Sequence, residues 1–239
     1  MAMHPNWLLS SLEPGMRPRF EPQMRRIELA RGEQLQHPGE AVHKVYFPEG
    51  ALVGLMSAMP RGDAVQTAMI GWEGAVGVFE SCGTRQSAFL AEVQVEGPAW
   101  MMGAEDYRRM YEASESLRTA VHKYVEVLLT EARQFVACNA LHSVEARLSR
   151  SLLEALERSR DGRVLPVTQE ALSEMLGVQR TTVTAAMAQL QSNGALRSSR
   201  GMVEVLDRGA LETTACVCRE VLQAARSEIY GSAKRACDE

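Results

Sequence analysis

The sequence of 239 residues lacks any hydrophobic run long enough to cross a membrane. A helical span needs about 20 consecutive apolar residues, and the apolar runs here are far shorter. The first residues, MAMHPNWLLSSLEPG, also lack a basic segment followed by an uninterrupted apolar core, so no signal peptide is expected. Together these absences predict a cytoplasmic protein with no membrane partner.

Cysteine is scarce, and the number of cysteines is odd, at five. A scattered, odd set argues against a disulfide framework and agrees with a reducing compartment. Cys216 and Cys218 are separated by one residue, which is too sparse for a zinc site without other ligands. We therefore interpret this pair as structural and predict no metal site and no cofactor. The cysteines are Cys82, Cys138, Cys216, Cys218 and Cys237.

Other groups with potential chemistry stand alone in the sequence. His37 and His43 flank a predicted turn, where histidines are usually solvated. Cys82 precedes Gly83 in a predicted loop and would be a redox sensor only if it were exposed. The pattern contains no nucleophile paired with a base, no phosphate-binding loop and no metal cluster, so an enzyme is not expected.

Positive charge is not in excess, since the net charge is −4. Between residues 163 and 201, however, four arginines stand against two glutamates, which gives a local net charge of +2. Affinity for nucleic acid depends on the cations that reach the phosphates and not on the sum over the protein. The charge balance therefore permits this segment to bind DNA. The arginines are Arg163, Arg180, Arg197 and Arg200.

Residues 27–100 contain short apolar runs that are separated by glycine, proline and aspartate. The runs include VHKVYF, ALVGLMSAM, AVQTAMI, GAVGVF and SAFLAEVQV, with breaks such as Pro38-Gly39 and residues 60–63. Regular strand-and-turn spacing of this kind predicts a small all-β sandwich or barrel. The pattern leaves open whether this domain binds a ligand.

A long helix is predicted from about Ser114 to Cys138, after a short helix over residues 104–113. Its wide apolar face packs either on both its own β domain and a partner helix or on its own domain alone, and the periodicity leaves both alternatives open. Ser143 is expected to cap a further helix that ends near Leu156. The candidate dimer-interface residues on the long helix are Leu117, Val121, Tyr124, Val125, Leu128, Ala132 and Phe135.

Residues 165–205 predict two short helices joined by a tight turn and followed by a β-hairpin. Thr168 can cap a first helix over residues 169–176, and Gly177 supplies the turn. A second helix is expected from about Gln179 to Asn193. This is the layout of a winged helix-turn-helix, whose partner is double-stranded DNA. A helical hairpin that binds another protein is the alternative.

Recognition helices project their N-terminal side chains towards base edges. Gln179 can pair with adenine and Arg180 with guanine, each through two hydrogen bonds. Threonine hydroxyls suit a phosphate or a thymine methyl group, and the wing tip suits the phosphate backbone. The candidate DNA-binding residues are Thr168, Gln179, Arg180, Thr181, Thr182, Thr184, Arg197, Ser199 and Arg200.

The order of these elements resembles the CRP/FNR family of bacterial transcription regulators over about residues 6–205, as do the stretches CNALHSVEARLSRSLLEAL, VTQEALSEMLGVQRTTVT and VEVLDRGALE. The resemblance implies an α+β fold with three parts: a cyclic-nucleotide-binding-like β-roll (1–112), a dimerisation helix (113–141) and a winged helix-turn-helix domain (142–239). It implies a homodimer on a palindromic site, with half-sites about one DNA turn apart. RNA polymerase is a further partner that the resemblance suggests.

The effector site of the family matches less well. Its cyclic-AMP binders hold the ribose with a glutamate and the cyclic phosphate with an arginine; the corresponding positions here are Ala75 and Gln86. Arg85 lies one residue early, which turns it to the other face of a strand. Each lost contact costs on the order of 1.5–3 kcal/mol, so cyclic-AMP sensing is not expected. The residues of this degenerate pocket are Gly74, Ala75, Gly77, Arg85, Gln86, Ser87 and Arg133.

The iron–sulfur sensors of the family carry clustered N-terminal cysteines, and this chain has none before Cys82. In the predicted recognition helix Arg180 matches the family's arginine. Thr181 replaces the glutamate that usually follows, and this replacement predicts an altered DNA half-site. The sequence thus predicts a DNA-binding regulator that does not respond to cyclic AMP. The alternative is a sensor in which a cyclic nucleotide or cyclic dinucleotide switches DNA binding.

Overall fold

The computed structural model describes residues 6–59, 64–159 and 162–230. None of the described helices combines the length and the apolar character that a membrane span needs. The helices in these ranges are α1 (Trp7–Ser10), α2 (Arg17–Phe20), α3 (Val78–Cys82), α4 (Ala104–Ala113), α5 (Glu115–Leu141), α6 (Val144–Arg158), α7 (Gln169–Leu176), α8 (Arg180–Ser192), α9 (Arg208–Thr214) and α10 (Cys218–Tyr230). The strands are β1 (Arg25–Leu29), β2 (Gln34–Gln36), β3 (Lys44–Pro48), β4 (Leu52–Ala58), β5 (Ala64–Ile70), β6 (Leu90–Val95), β7 (Gly97–Gly103), β8 (Val164–Leu165), β9 (Leu196–Ser199) and β10 (Met202–Val205).

The N-terminal domain consists of two antiparallel sheets around one core, as the strand-and-turn spacing predicted. The strand orders are β1-β7-β3 and β2-β6-β4-β5. Phe47 of the first sheet and Val53 of the second are both fully buried in the shared core. One apolar run differs from the expected strand: GAVGVF leads into helix α3, which begins after Gly77. The predicted break at residues 60–63 lies outside the described residues.

Helices α4 and α5 pack against this core. Tyr107 of α4 and Tyr124 of α5 are buried in it. Ser114 caps α5, since its Oγ accepts a hydrogen bond from the Leu117 backbone N–H at 3.1 Å. The helix extends to Leu141, slightly past its predicted end, so it connects the β domain to the C-terminal domain.

The C-terminal domain is a winged helix-turn-helix. Helix α7 has the predicted bounds, and the Thr168 hydroxyl caps it by accepting a hydrogen bond from the Ala171 N–H at 3.1 Å. Gly177 then takes a left-handed conformation (φ 61°) that favours glycine and reverses the chain before α8. Strands β9 and β10 form the wing, and β10 also pairs with β8. The core of the domain includes Leu148, Leu152, Leu172, Val183, Leu190 and Val203.

The two domains are joined by apolar packing and by a buried ion network. Met69 of β5 packs into the core of the C-terminal domain. Arg158 at the end of α6 pairs with Glu73, after β5, at 2.7 Å and with Glu131 of α5 at 2.9 Å. Arg226 of α10 also pairs with Glu131. Burial would raise the pKa of Glu131, but the two guanidinium groups hold it below its usual value.

Candidate nucleic-acid interface

The N-terminal half of α8 presents a row of polar side chains to solvent. Val183 and Met187 face the domain core. Because a helix turns once every 3.6 residues, the intervening positions lie on the outer face. Gln179 occupies the N-cap position, but its side chain makes no capping hydrogen bond. The exposed residues of this row are Gln179, Arg180, Thr181, Thr182 and Thr184.

Arg180 is held only loosely. Its guanidinium lies 3.8 Å from the Glu170 carboxylate, and both side chains are about two-thirds exposed. Such surface pairs contribute about 0–1 kcal/mol, so a nucleic acid can displace the carboxylate at little cost. Thr184 donates a hydrogen bond to the Gln169 amide oxygen at 3.2 Å, which links α8 to the first turn of α7.

The wing carries exposed cationic and hydroxyl groups. Arg197 of β9 lies 3.7 Å from Glu204 of β10 in another exposed pair. Ser199 and Arg200 are exposed at the turn of the wing. Thr168 differs from the other predicted contact residues, because it is half-buried and its hydroxyl already caps α7.

The Tyr124 side chain lies against two of the predicted effector residues, Gly74 and Ala75. A Cβ atom on Gly74 would lie 2.4 Å from the Tyr124 ring, so this side chain occupies the space beside the turn. The Tyr124 hydroxyl donates a hydrogen bond to the Ala75 carbonyl oxygen at 2.9 Å. At these two positions Tyr124 fills the space that the predicted degenerate pocket would need.

Two of the remaining predicted effector residues, Ser87 and Gly77, lie against the Gln36 side chain. The buried Ser87 hydroxyl donates to the Phe89 carbonyl oxygen at 2.8 Å. Gly77 lies so close to Gln36 that an added Cβ would be 2.6 Å from the amide nitrogen. The other three predicted residues are exposed: Arg85, Gln86 and Arg133.

Sequence reasoning missed a buried carboxylate in helix α3. Glu80 is 5 % exposed, and neither of its carboxylate oxygens has a hydrogen-bond partner among the described residues. Burial raises the pKa of Glu80 to about 7. A glutamate in an apolar run is the available sequence signal, but the pattern alone does not show which glutamate is enclosed.

The structure also corrects the candidate dimer interface. Leu117, Val121 and Tyr124 are at most 3 % exposed, because they pack in the core of their own domain. Leu128 and Phe135 are half-buried. Four apolar residues in the middle of α5 face solvent and form a stripe, which we call the exposed stripe: Val125, Leu129, Ala132 and Val136.

Cys216 and Cys218, which we interpreted as a structural pair, lie beside two further groups of the kind that bind metals. Cys138 and His142 lie beside them, and one ligand atom from each of the four residues lies within 4.8 Å of the others. Neither His37 nor His43 belongs to such a group within the described residues.

Cys82 is exposed, as a redox sensor requires, but it lies at the end of α3 instead of in a loop. Partial burial of the thiol raises the pKa of Cys82, and this opposes thiolate formation. A reactive role for this cysteine is therefore not supported.

Comparison with known proteins gives the class of the C-terminal domain and of the fold. Residues 146–214 match the family described as the Crp-like helix-turn-helix domain. FixK2 from Bradyrhizobium japonicum has a TM-score of 0.69 at 15% identity, with 81% of this chain and 98% of that chain covered. TTHB099, a CRP-family transcriptional regulator from Thermus thermophilus, has a TM-score of 0.67 at 22% identity, covering 79% and 96%.

A third similar structure is CLP from Xanthomonas campestris, described as a c-di-GMP-responsive global regulator. It has a TM-score of 0.63 at 15% identity and covers 81% of this chain and 99% of its own. No curated protein sequence matches the chain. The resemblance to the CRP/FNR family is confirmed: residues 146–214 are a Crp-like helix-turn-helix domain, and the chain has the fold of CRP/FNR regulators.

Proposed function

We propose that this protein is a homodimeric transcription regulator that binds a palindromic DNA site and does not need cyclic AMP to do so. The observation that carries the proposal is the exposed polar row of α8 beside a cationic wing, within a Crp-like helix-turn-helix domain. The DNA partner implies that the protein acts in the cytoplasm.

Base reading by α8 rests on the exposure of Gln179 and Arg180 at its first turn. In a gel-shift series over genomic fragments, Arg180→Ala should weaken the best site by about 1–3 kcal/mol, or roughly 5- to 150-fold. Arg31→Ala removes an exposed arginine from the β domain and serves as the charge-matched control. Equal binding of wild type and Arg180→Ala to every fragment would contradict the assignment.

Dimerisation rests on the exposed stripe of α5. Val125 is 38 % exposed, Leu129 49 % and Val136 72 %, which are large fractions for apolar side chains on one helix face. Their spacing of four and seven residues matches that of a helix–helix seam. A second copy of the chain would remove this face from water.

The stripe can be tested with a pair of charge substitutions. Leu129→Glu should convert the dimer to a monomer in sedimentation velocity and abolish binding to a palindromic site. Lys123→Glu introduces the same side chain at an exposed position on another face of α5 and should leave the dimer intact. A Leu129→Glu protein that sediments as a dimer would show that the subunits associate elsewhere.

Independence from cyclic AMP rests on the filled space around Gly74 and Ala75, where Tyr124 occupies the turn. Titration calorimetry should therefore detect no micromolar binding of cyclic AMP. A parallel titration with c-di-GMP, to which CLP is described as responding, tests the alternative of an effector-gated sensor. Tight binding of cyclic AMP would mean that Tyr124 moves aside and would contradict this part of the proposal.

A further inference from the structure

Three cysteines and one histidine from two distant segments meet at the C-terminal end of α5. Cys138 lies in the last turn of the helix, and His142 follows four residues later, on the same side. Cys216 and Cys218 lie at the junction between α9 and α10. All three cysteines are buried, and within the described part of the chain none of them forms a disulfide bond.

The spacing of the four ligand atoms is close to that of a tetrahedral metal shell. The Sγ atoms of Cys138 and Cys216 are 3.5 Å apart, and Cys218 Sγ is 3.4 Å from His142 Nδ1. A zinc ion with Zn–S bonds of about 2.3 Å holds its ligand atoms roughly 3.8 Å from one another. Because every pair in the cluster lies within 4.8 Å, shifts of about 1 Å or less complete the shell.

We propose that Cys138, His142, Cys216 and Cys218 bind one Zn²⁺ ion in a closed structural site. Three thiolates and an imidazole select a borderline-soft cation and exclude Mg²⁺ and Ca²⁺, which prefer oxygen ligands. Four protein ligands leave no open coordination position, so the ion stabilises the fold and does not activate water.

Groups around the cluster support thiolate ligands. The Gln134 amide nitrogen donates a hydrogen bond to Cys218 Sγ at 3.0 Å, a contact that orients and stabilises a metal-bound sulfur. A Zn²⁺ ion with three thiolates and a neutral histidine has a net charge of −1, which a hydrogen-bond donor to a ligand sulfur helps to stabilise.

The position of the cluster indicates what the ion holds in place. Helix α10 packs along α5, and the cluster ties the start of α10 to the end of α5. Ser143, directly after His142, caps α6 and begins the C-terminal domain. Zinc binding would therefore stabilise the connection between the end of α5 and the start of the C-terminal domain. The spacing of the residues in the sequence did not reveal this role. This inference does not depend on the proposed DNA site.

Metal content provides the first test. Protein purified without a metal-affinity tag from zinc-supplemented cells should contain about one zinc per chain by elemental analysis. Cys216→Ser and His142→Ala should each lose most of this zinc. Cys82→Ser removes the exposed cysteine outside the cluster and should keep it. Wild-type protein without zinc, or with iron and sulfide in its place, would overturn the proposal.

A second measurement keeps the test valid if a variant fails to fold. Wild-type protein stripped with a chelator should bind Co²⁺ alone and develop the thiolate charge-transfer and visible bands of tetrahedral cobalt. Zn²⁺ should then displace the cobalt and raise the melting temperature of the stripped protein. A Co²⁺ spectrum without thiolate bands, or a Cys138–Cys216 disulfide in protein lysed under thiol-blocking conditions, would contradict a zinc site.

Discussion

The two ends of this molecule use their polar groups in opposite ways. In the β domain the turn at Gly74 and Ala75 is packed against α5, and Tyr124 occupies the space beside Gly74. In the winged domain Gln179 and Arg180 remain exposed, and Arg180 has only a loose partner in Glu170. Residues 74–81 and Tyr124, which we call the closed region, thus pack against the chain itself. The exposed residues of α8 and of the wing, which we call the open region, remain accessible to a partner.

Two proteins that share this fold therefore need not respond to the same effector. The helix-turn-helix needs exposed donors to read DNA, and those donors are present. The β domain keeps its sheets and its contact with α5 even though its candidate effector residues are dispersed. Substitutions in each region can show how far the closed region and the open region behave independently.

The largest effect on stability is expected at the ion network that joins the β domain to the C-terminal domain. Arg158 is 5 % exposed and pairs with Glu73 of the β domain and Glu131 of α5. Arg158→Ala removes the cation that pairs with the buried Glu73 and leaves Glu131 with Arg226, so the free energy of unfolding in urea should fall by about 3–5 kcal/mol. The exposed pairs of Arg208 with Glu157 and Glu212 offer a control.

Arg208→Ala breaks salt bridges of a similar kind at the surface and should cost about 1 kcal/mol or less. The ratio between the two losses measures how much the network depends on burial. If Arg158→Ala were no more destabilising than Arg208→Ala, the two domains would not be held together by this network.

The next effect is a pH dependence that arises in the closed region. Burial raises the pKa of Glu80 to about 7 from the ordinary value of 4.5. The folded protein therefore retains a proton that the unfolded chain loses, and stability decreases as the pH rises between these values. The loss amounts to about 3 kcal/mol, since each pKa unit is worth about 1.4 kcal/mol.

Glu80→Gln has no titrating group at this position and should remove most of that slope. Urea unfolding of both proteins at pH 5 and pH 8 makes the comparison, and the difference in slope isolates Glu80 from other groups. Parallel pH profiles for wild type and Glu80→Gln would show that the carboxylate gains water or a partner when it ionises.

A smaller effect on stability is expected where Tyr124 packs against Gly74. Gly74→Ala places a Cβ atom 2.4 Å from the tyrosine ring, and overpacking of this kind costs about 1–3 kcal/mol. Gly15→Ala adds the same methyl group where no atom lies within 4 Å and should change stability by less than about 0.5 kcal/mol. At temperatures where both variants are folded, their DNA affinities should equal that of wild type. A parallel loss of affinity in Gly74→Ala would show that the closed region controls the open one.

The sequence was most informative where local rules determine the structure. Helix α7 has its predicted bounds because the Thr168 cap and the left-handed Gly177 fix both of its ends. Polar residues between apolar positions identified the exposed face of α8 in the same way. The fold class followed from strand-and-turn spacing and from the resemblance.

The sequence was least informative where distant segments meet. Periodicity placed Leu117 and Tyr124 on one apolar face of α5 but did not show that the β domain covers it. The contact of Cys216 and Cys218 with Cys138 could not be predicted from the sequence, because about 80 residues of chain separate the two segments. Such contacts depend on how domains pack, and the spacing of residues along one element does not encode that packing.

The smallest effect is expected at the wing. Arg197 is about two-thirds exposed and has one loose partner in Glu204, so it suits contact with a phosphate more than with a base. Arg197→Ala should weaken specific and non-specific DNA by a similar, small factor and reduce the slope of log affinity against log salt by about 1. Arg180→Ala should instead weaken only the specific site by a large factor. The two arginines belong to the same open surface, and a sequence-dependent loss at Arg197 would extend base reading from α8 to the wing.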